Sequence, residues 1–149
     1  MPGIHDRPLM AHHSIRAGLS LLALIQGGLG LYAYVLPLTF YSGLPFPGHS
    51  WVDLLPPYNG HLVTDYGILS VSLAVILAAA AVFLEKRLVQ AALSGYLVYA
   101  VLHLAFHVTH LERFPPADAI TQTAAMILLV VLTVVLLFLA HWKLANRPA

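Results

Sequence analysis

Four stretches of the chain stay apolar for the length a bilayer demands, and three polar connections of very unequal size separate them. Crossing the hydrocarbon takes about 20 mostly apolar residues. The segments that meet this run from about Ser14 to Pro37, His61 to Leu84, Leu88 to His110 and Ala117 to Trp142. The pattern predicts an all-α fold, a transmembrane four-helix bundle forming one integral membrane domain over residues 1–149. "EKR" makes a tight hairpin between spans two and three. "LERFPPAD" makes a short turn before span four, where Pro115 and Pro116 set the next helix start. Between spans one and two lies a long segment, residues 38–60, crowded with Pro, Gly and aromatics. It is expected to form an ordered extracytoplasmic loop.

Lys and Arg orient the bundle. Arg7, Arg16, Lys86, Arg87, Lys143 and Arg147 fall on one side, and only Arg113 on the other. The positive-inside rule then puts both termini in the cytoplasm and the long loop on the outer face of a multi-pass inner-membrane protein. Trp51 and several tyrosines suit the outer interface, and Trp142 the inner one. The N-terminal segment lacks a small-x-small site closing a short apolar region, so it is expected to be retained. In span one, "QGGLG" brings together Gly27, Gly28 and Gly30, an expected packing face, because small residues let helices approach closely in lipid. Span four, "AAMILLVVLTVVLLFLA", is nearly featureless and is expected to be the helix most exposed to lipid or to a partner subunit.

Composition agrees with the pattern. Of 149 residues 60% are hydrophobic and 9% charged, against about a quarter charged in soluble domains. There is no cysteine. This excludes disulfides, thiolate metal sites and iron–sulfur clusters. A net charge of +1 gives no reason to expect nucleic acid as a partner.

Polar residues inside such a chain need a reason. In "HLAFHVTHLERF", His103, His107 and His110 are spaced i, i+4, i+7 and share one helical stripe, which continues through Tyr99 and Tyr96. On span two, His61, Asp65 and Ser72 lie on one face, with Thr64 at its edge. Hairpin geometry makes spans two and three antiparallel neighbours, so His61 and Asp65 are expected at roughly the level of His107 and His110, with His103 about one turn deeper. The candidate site is therefore His61, Asp65, His103, His107 and His110. Tyr58, Asn59, Tyr96 and Tyr99 would support it, and "PPYNGH" would fold Tyr58 and Asn59 back onto the bundle. The loop adds His49 and Asp53.

Three chemistries use such a set. A transition metal (Zn, Fe, Cu or Mn) needs three or four N or O donors at one point. Haem b needs axial imidazoles across a flat apolar slot, for which His61 opposite His103 or His107 would serve. A proton or quinone site needs titratable His beside Asp and Tyr. The expectation favoured is a metal or haem bound by this outer-facing set and serving redox chemistry. The competing reading has no cofactor: the polar cluster only locks helices and loop together in a non-catalytic accessory subunit or interaction protein of a larger membrane complex, and a homo-oligomer is the other expected assembly. His5, His12 and His13 fall in the expected cytoplasmic tail, and His141 stands beside Trp142 as an interfacial anchor. Tyr32 and Tyr34 suit core packing with hydroxyls bonded across helices. Metalloprotease, serine-hydrolase and phosphate-loop motifs are absent, and span one carries Gln26 where a small multidrug-type exchanger would carry a carboxylate.

The segments "FYSGLPFPGHSWVDLLPPYNGHLVTDYG" and "LHLAFHVTHLE" resemble those of a group of small four-span bacterial membrane proteins of unassigned function. In size and span count the chain is also similar to the DoxX-like four-helix membrane families. That resemblance implies a redox or quinone-linked role without assigning it to particular residues.

Overall fold

A computed structural model describes residues 6–55 and 57–144; His5 and Arg147 lie outside the described residues. The chain is helical almost throughout. Its long helices are α1 (Asp6–Val35), α3 (Gly60–Phe83), α4 (Lys86–Val108) and α5 (Pro116–Lys143). A short α2 (Pro37–Gly43) and a two-stranded hairpin, β1 (Pro45–Phe46) with β2 (His49–Ser50), occupy the long connection. All four long helices are long and apolar enough to cross a membrane. At 1.5 Å per residue, the 24 residues of α3 span about 36 Å, slightly more than the ~30 Å hydrocarbon core.

The helix limits follow local chemistry. Asn59 caps α3, its side-chain oxygen accepting from the Leu62 N–H at 3.2 Å. Pro116 opens α5, where a missing N–H costs nothing. At the other end of the bundle, Leu84 takes a left-handed φ of 48° and lets α4 begin within three residues of the end of α3. Span one starts earlier than expected: α1 is already helical at Asp6 and includes His12 and His13, which sit on the helix rather than in a loose tail.

The bundle is solid at the end that holds the α3–α4 hairpin. Ile15, Leu19 and Leu22 of α1 meet Leu77 and Ala80 of α3, Val89 and Leu93 of α4, and Leu136 and Ala140 of α5. Arg16 donates from Nε to the Ala81 carbonyl at 3.1 Å, tying the start of α1 to the end of α3. The opposite end, beneath the long loop, is hollow.

Pairing among the helices departs from the sequence-based expectation. The hairpin does bring α3 and α4 into contact, but the extensive packing is of α1 with α3 and of α4 with α5. The reason is a run of small residues. Gly30 of α1 and Gly67 of α3 meet backbone to backbone: a Cβ on Gly67 would stand 2.7 Å from the Tyr34 nitrogen and 2.8 Å from the Gly30 oxygen. Ser70 and Ala74 continue this face, and Gln26 Nε2 donates to Ser70 Oγ at 3.0 Å inside it. Of the glycines in span one, Gly27 comes close to Ala74, but Gly28 faces open space and takes no part in the packing.

Gly28 and Gly95 therefore carry the flexibility of glycine without using it. Gly28→Ala and Gly95→Ala should each raise stability by about 0.4–1 kcal/mol, by restricting the unfolded chain and favouring the helix. Unfolding in mixed micelles with a rising fraction of denaturing detergent measures this.

Candidate binding cavity

A cavity of about 420 Å3 lies between the four helices at the loop end. Its roof is the long connection, which contributes Phe40, Leu44, Trp51, Val52 and Leu55. Several bonds hold that roof in shape. Ser50 Oγ donates to the Tyr41 carbonyl at 2.6 Å and accepts from the N–H groups of Val52 and Asp53. Trp51 N–H donates to the Leu44 carbonyl at 2.7 Å. Gly48, at φ 81°, makes the hairpin turn, a conformation that suits glycine. A polar latch joins the hairpin to the bundle: His49 Nε2 and Asp118 Oδ1 are 2.7 Å apart, with the Trp51 indole beside the same carboxylate. Asp118 sits in the first turn of α5, where the helix dipole favours a negative charge.

Removing the latch should loosen the roof. His49 is partly exposed, so its bond to the carboxylate is worth about 1 kcal/mol rather than the full value of a buried charged pair. Asp118→Ala should speed amide exchange over residues 44–55 about fivefold, read by hydrogen–deuterium exchange, while the long helices keep their protection.

The expected stripe on α4 is present over most of its length and faces the cavity. Tyr96, Tyr99, His103 and His107 all line it. The rings touch in sequence: Tyr96 and Tyr99 have centroids 5.8 Å apart, His103 stacks on Tyr99 at 5.5 Å, and His107 meets His103 edge to face at 4.6 Å. His107 is buried and bonds through Nδ1 to Gln122 Oε1 at 2.7 Å. Because the amide oxygen accepts, Nδ1 carries the hydrogen and Nε2 is left with its lone pair. His103 makes ring contacts but no hydrogen bond to any described residue. Tyr66 of α3 faces the same space, close to Tyr99 and Ser70. The Tyr96 hydroxyl and Gln122 Nε2 are buried without a partner among the described residues.

The other members of the expected site lie elsewhere. α4 ends at Val108, so the i+7 position is no longer helical. His110 instead turns back, its Nδ1 2.7 Å from the Phe106 carbonyl and its ring stacked on Phe106 at 4.3 Å. His61 and Asp65 pair with each other at 3.4 Å, with side chains 81% and 48% exposed, and do not line the cavity. Since each residue turns a helix by about 100°, His61, Asp65 and Ser72 stand opposite the Gly67–Ser70–Ala74 face that α3 buries against α1. The expected meeting of His61 and Asp65 with His107 and His110 is thereby lost. Among the described residues no three His, Asp or Glu side chains come together to hold a metal ion. Asn59 acts as a helix cap, and Tyr58 packs edge to face on Tyr41 at 5.3 Å, so both support the loop. Tyr32 bonds through its hydroxyl to the Thr39 carbonyl of α2, while Tyr34 is exposed.

Three contributors escaped the sequence reading: Asp118, Gln122 and Tyr66. The signal for the first two was there. Asp118 and Gln122 are spaced i, i+4 at the start of an otherwise apolar span. That spacing marks one polar stripe on α5, from which Gln122 meets His107 of α4 and Asp118 meets His49 of the loop.

The walls are mainly apolar, and no Asp, Glu, Lys or Arg is among the lining residues described. Such a space suits an uncharged, flat molecule. Its polar stripe offers imidazole, phenol and amide groups for hydrogen bonds, and imidazole for proton exchange. Among known protein families, curated proteins and solved structures, none matches this chain.

Proposed function

We propose that this is a multi-pass inner-membrane protein, its termini cytoplasmic, that binds a small quinone-type ring in the cavity at its loop end. The observation that carries the reading is the His103 imidazole. It lines an apolar cavity of about 420 Å3, stacked on one ring and edge-on to another, with neither nitrogen hydrogen-bonded to any described residue. An imidazole in such surroundings gains by meeting a ligand oxygen. Its neighbour His107, oriented by Gln122, directs a second imidazole into the same space. Small-molecule sites commonly combine apolar walls with a few convergent polar groups in a cavity of ~300–1,000 Å3. A quinone ring has apolar faces and two carbonyl oxygens at its edge, which match the aromatic walls and the His–Tyr stripe. Imidazoles beside those oxygens could also exchange protons when the ring is reduced or reoxidised.

Trp51 makes the test direct. It lines the cavity, whereas Trp142 is exposed at the opposite end of the bundle. In a Trp142→Phe background, a substituted 1,4-benzoquinone should quench Trp51 fluorescence saturably at one ring per chain. His103→Leu should weaken this binding about tenfold, the loss of roughly one good hydrogen bond. Quenching that rises linearly without saturation would refute the reading and favour a purely structural role for the polar stripe.

A further inference from the structure

The cavity is closed and open in different directions. Towards the loop side it is covered by Phe40, Leu44, Trp51, Val52 and Leu55, held by the Ser50 bonds and the His49–Asp118 latch. Below it, the bundle is filled by side chains. On its flank the wall is different. Of the large apolar side chains among the described residues lining the cavity, two are exposed on the protein surface: Leu62 of α3, at 63%, and Phe106 of α4, at 43%. They stand at the same level, Leu62 two residues from the start of α3 and Phe106 two residues from the end of α4. The two helices join only by the tight hairpin at the far end, and their mutual packing is slight compared with α1–α3 and α4–α5. This level is where hydrocarbon meets the headgroup region, given the length of α3.

We infer that the cavity is loaded sideways from the bilayer, between α3 and α4 past Leu62 and Phe106, by a ring that carries a long apolar chain. The inference rests on the ring-binding reading above and adds the substrate class: a lipid-borne molecule rather than a water-borne one. A space of about 420 Å3 lies in the lower part of the range for ligand sites, so it holds a ring and the first part of a chain. The rest of the chain must leave through the wall. Only the lipid-facing flank lets it do so without placing apolar surface in water. Leu62 and Phe106 then contact the chain where it crosses the wall, and they determine which ligands are taken.

The test uses the full chain in lipid vesicles, in the Trp142→Phe background, with Trp51 quenching followed by rapid mixing. The probes are a 1,4-benzoquinone with a ten-carbon chain and its chainless parent. Leu62→Phe and Leu62→Tyr crowd the flank without adding a second tryptophan. Each should slow association of the chain-bearing probe at least tenfold more than that of the parent. An unchanged unfolding transition in mixed micelles establishes that the variants are folded, as expected for substitutions at exposed positions. Should ligands instead pass through the roof, Asp118→Ala would speed association and the two Leu62 variants would not slow it, and the inference is overturned. Equal slowing of both probes also overturns the chain-specific route while leaving the ring site intact. A wild-type protein that quenches saturably with neither probe overturns the ring-binding reading, and the route with it.

Discussion

Gly67→Ala should cost about 3 kcal/mol of stability, the largest effect expected of any single methyl group in this protein. The added carbon would stand 2.7 Å from the Tyr34 nitrogen, 2.8 Å from the Gly30 oxygen and 3.0 Å from the Tyr34 Cα. All three are backbone atoms, so no rotamer change relieves the clash, and α1 and α3 must move apart. Overpacking a close-packed interface costs ~1–3 kcal/mol when side chains can yield. Here they cannot, and the separation also strains the buried Gln26–Ser70 bond. In lipid the penalty is not softened, since helix association there depends on close packing rather than on removal of apolar surface from water. Gly30→Ala should behave similarly, because its Cβ would meet the Gly67 oxygen and the Val71 nitrogen at 2.9 Å. The measurement is the detergent fraction at the unfolding midpoint, compared with Gly28→Ala, which adds the same methyl group to open space. Equal midpoints for Gly67→Ala and Gly28→Ala would disprove the backbone contact.

That contact also explains what the sequence concealed. Length and apolarity are properties of each segment alone, so the four helices and their limits were legible to within a few residues at most ends. Pro116, Asn59 and the "EKR" hairpin acted locally, as their chemistry requires. Which face of α3 turns inward is a different question, because it is decided by a second helix. His61, Asp65 and Ser72 form a clear stripe, and polarity suggested that it faced the protein. The small residues Gly67, Ser70 and Ala74 form an equally clear stripe on the other side. In lipid the small residues win, because they alone allow α1 to come close. The polar stripe is tolerated outside because His61 and Asp65 lie near the end of the helix and pair with each other, and the Ser72 hydroxyl bonds to the Ile68 carbonyl.

On α4 the same logic left the reading intact as far as His107. Tyr96, Tyr99, His103 and His107 share a face because the helix continues through all of them. His110 falls outside because the helix stops first, and a stop two residues earlier than expected rotates a side chain away from its stripe. The long loop was legible as a loop, but its latch was not. Pairing of His49 with Asp118, 69 positions later in the chain, has no local signature.

The second large effect concerns His107 and Gln122, whose bond joins α4 to α5 across the cavity wall. His107→Leu should destabilise the protein by about 1–2 kcal/mol, because it leaves the Gln122 oxygen unpaired beside an amide nitrogen that already lacks a partner among the described residues. Gln122→Leu should cost less, since the His107 ring reaches the cavity and is not sealed from it. The double variant should be more stable than the sum of the two single losses predicts, by a coupling of ~0.6–1.7 kcal/mol, the size found for hydrogen bonds between membrane helices. Stability and binding then separate. If the pair serves only to join helices, the double variant, with its apolar replacement of both groups, keeps whatever ring binding the wild type has. If His107 holds the ligand and Gln122 fixes its tautomer, binding of the benzoquinone falls at least tenfold in His107→Leu and in the double variant alike. In Gln122→Leu it falls less, because the imidazole remains but both tautomers become available. The order of the three binding constants therefore distinguishes a polar lock between helices from a group that meets a ligand, even though both predict the same unfolding data.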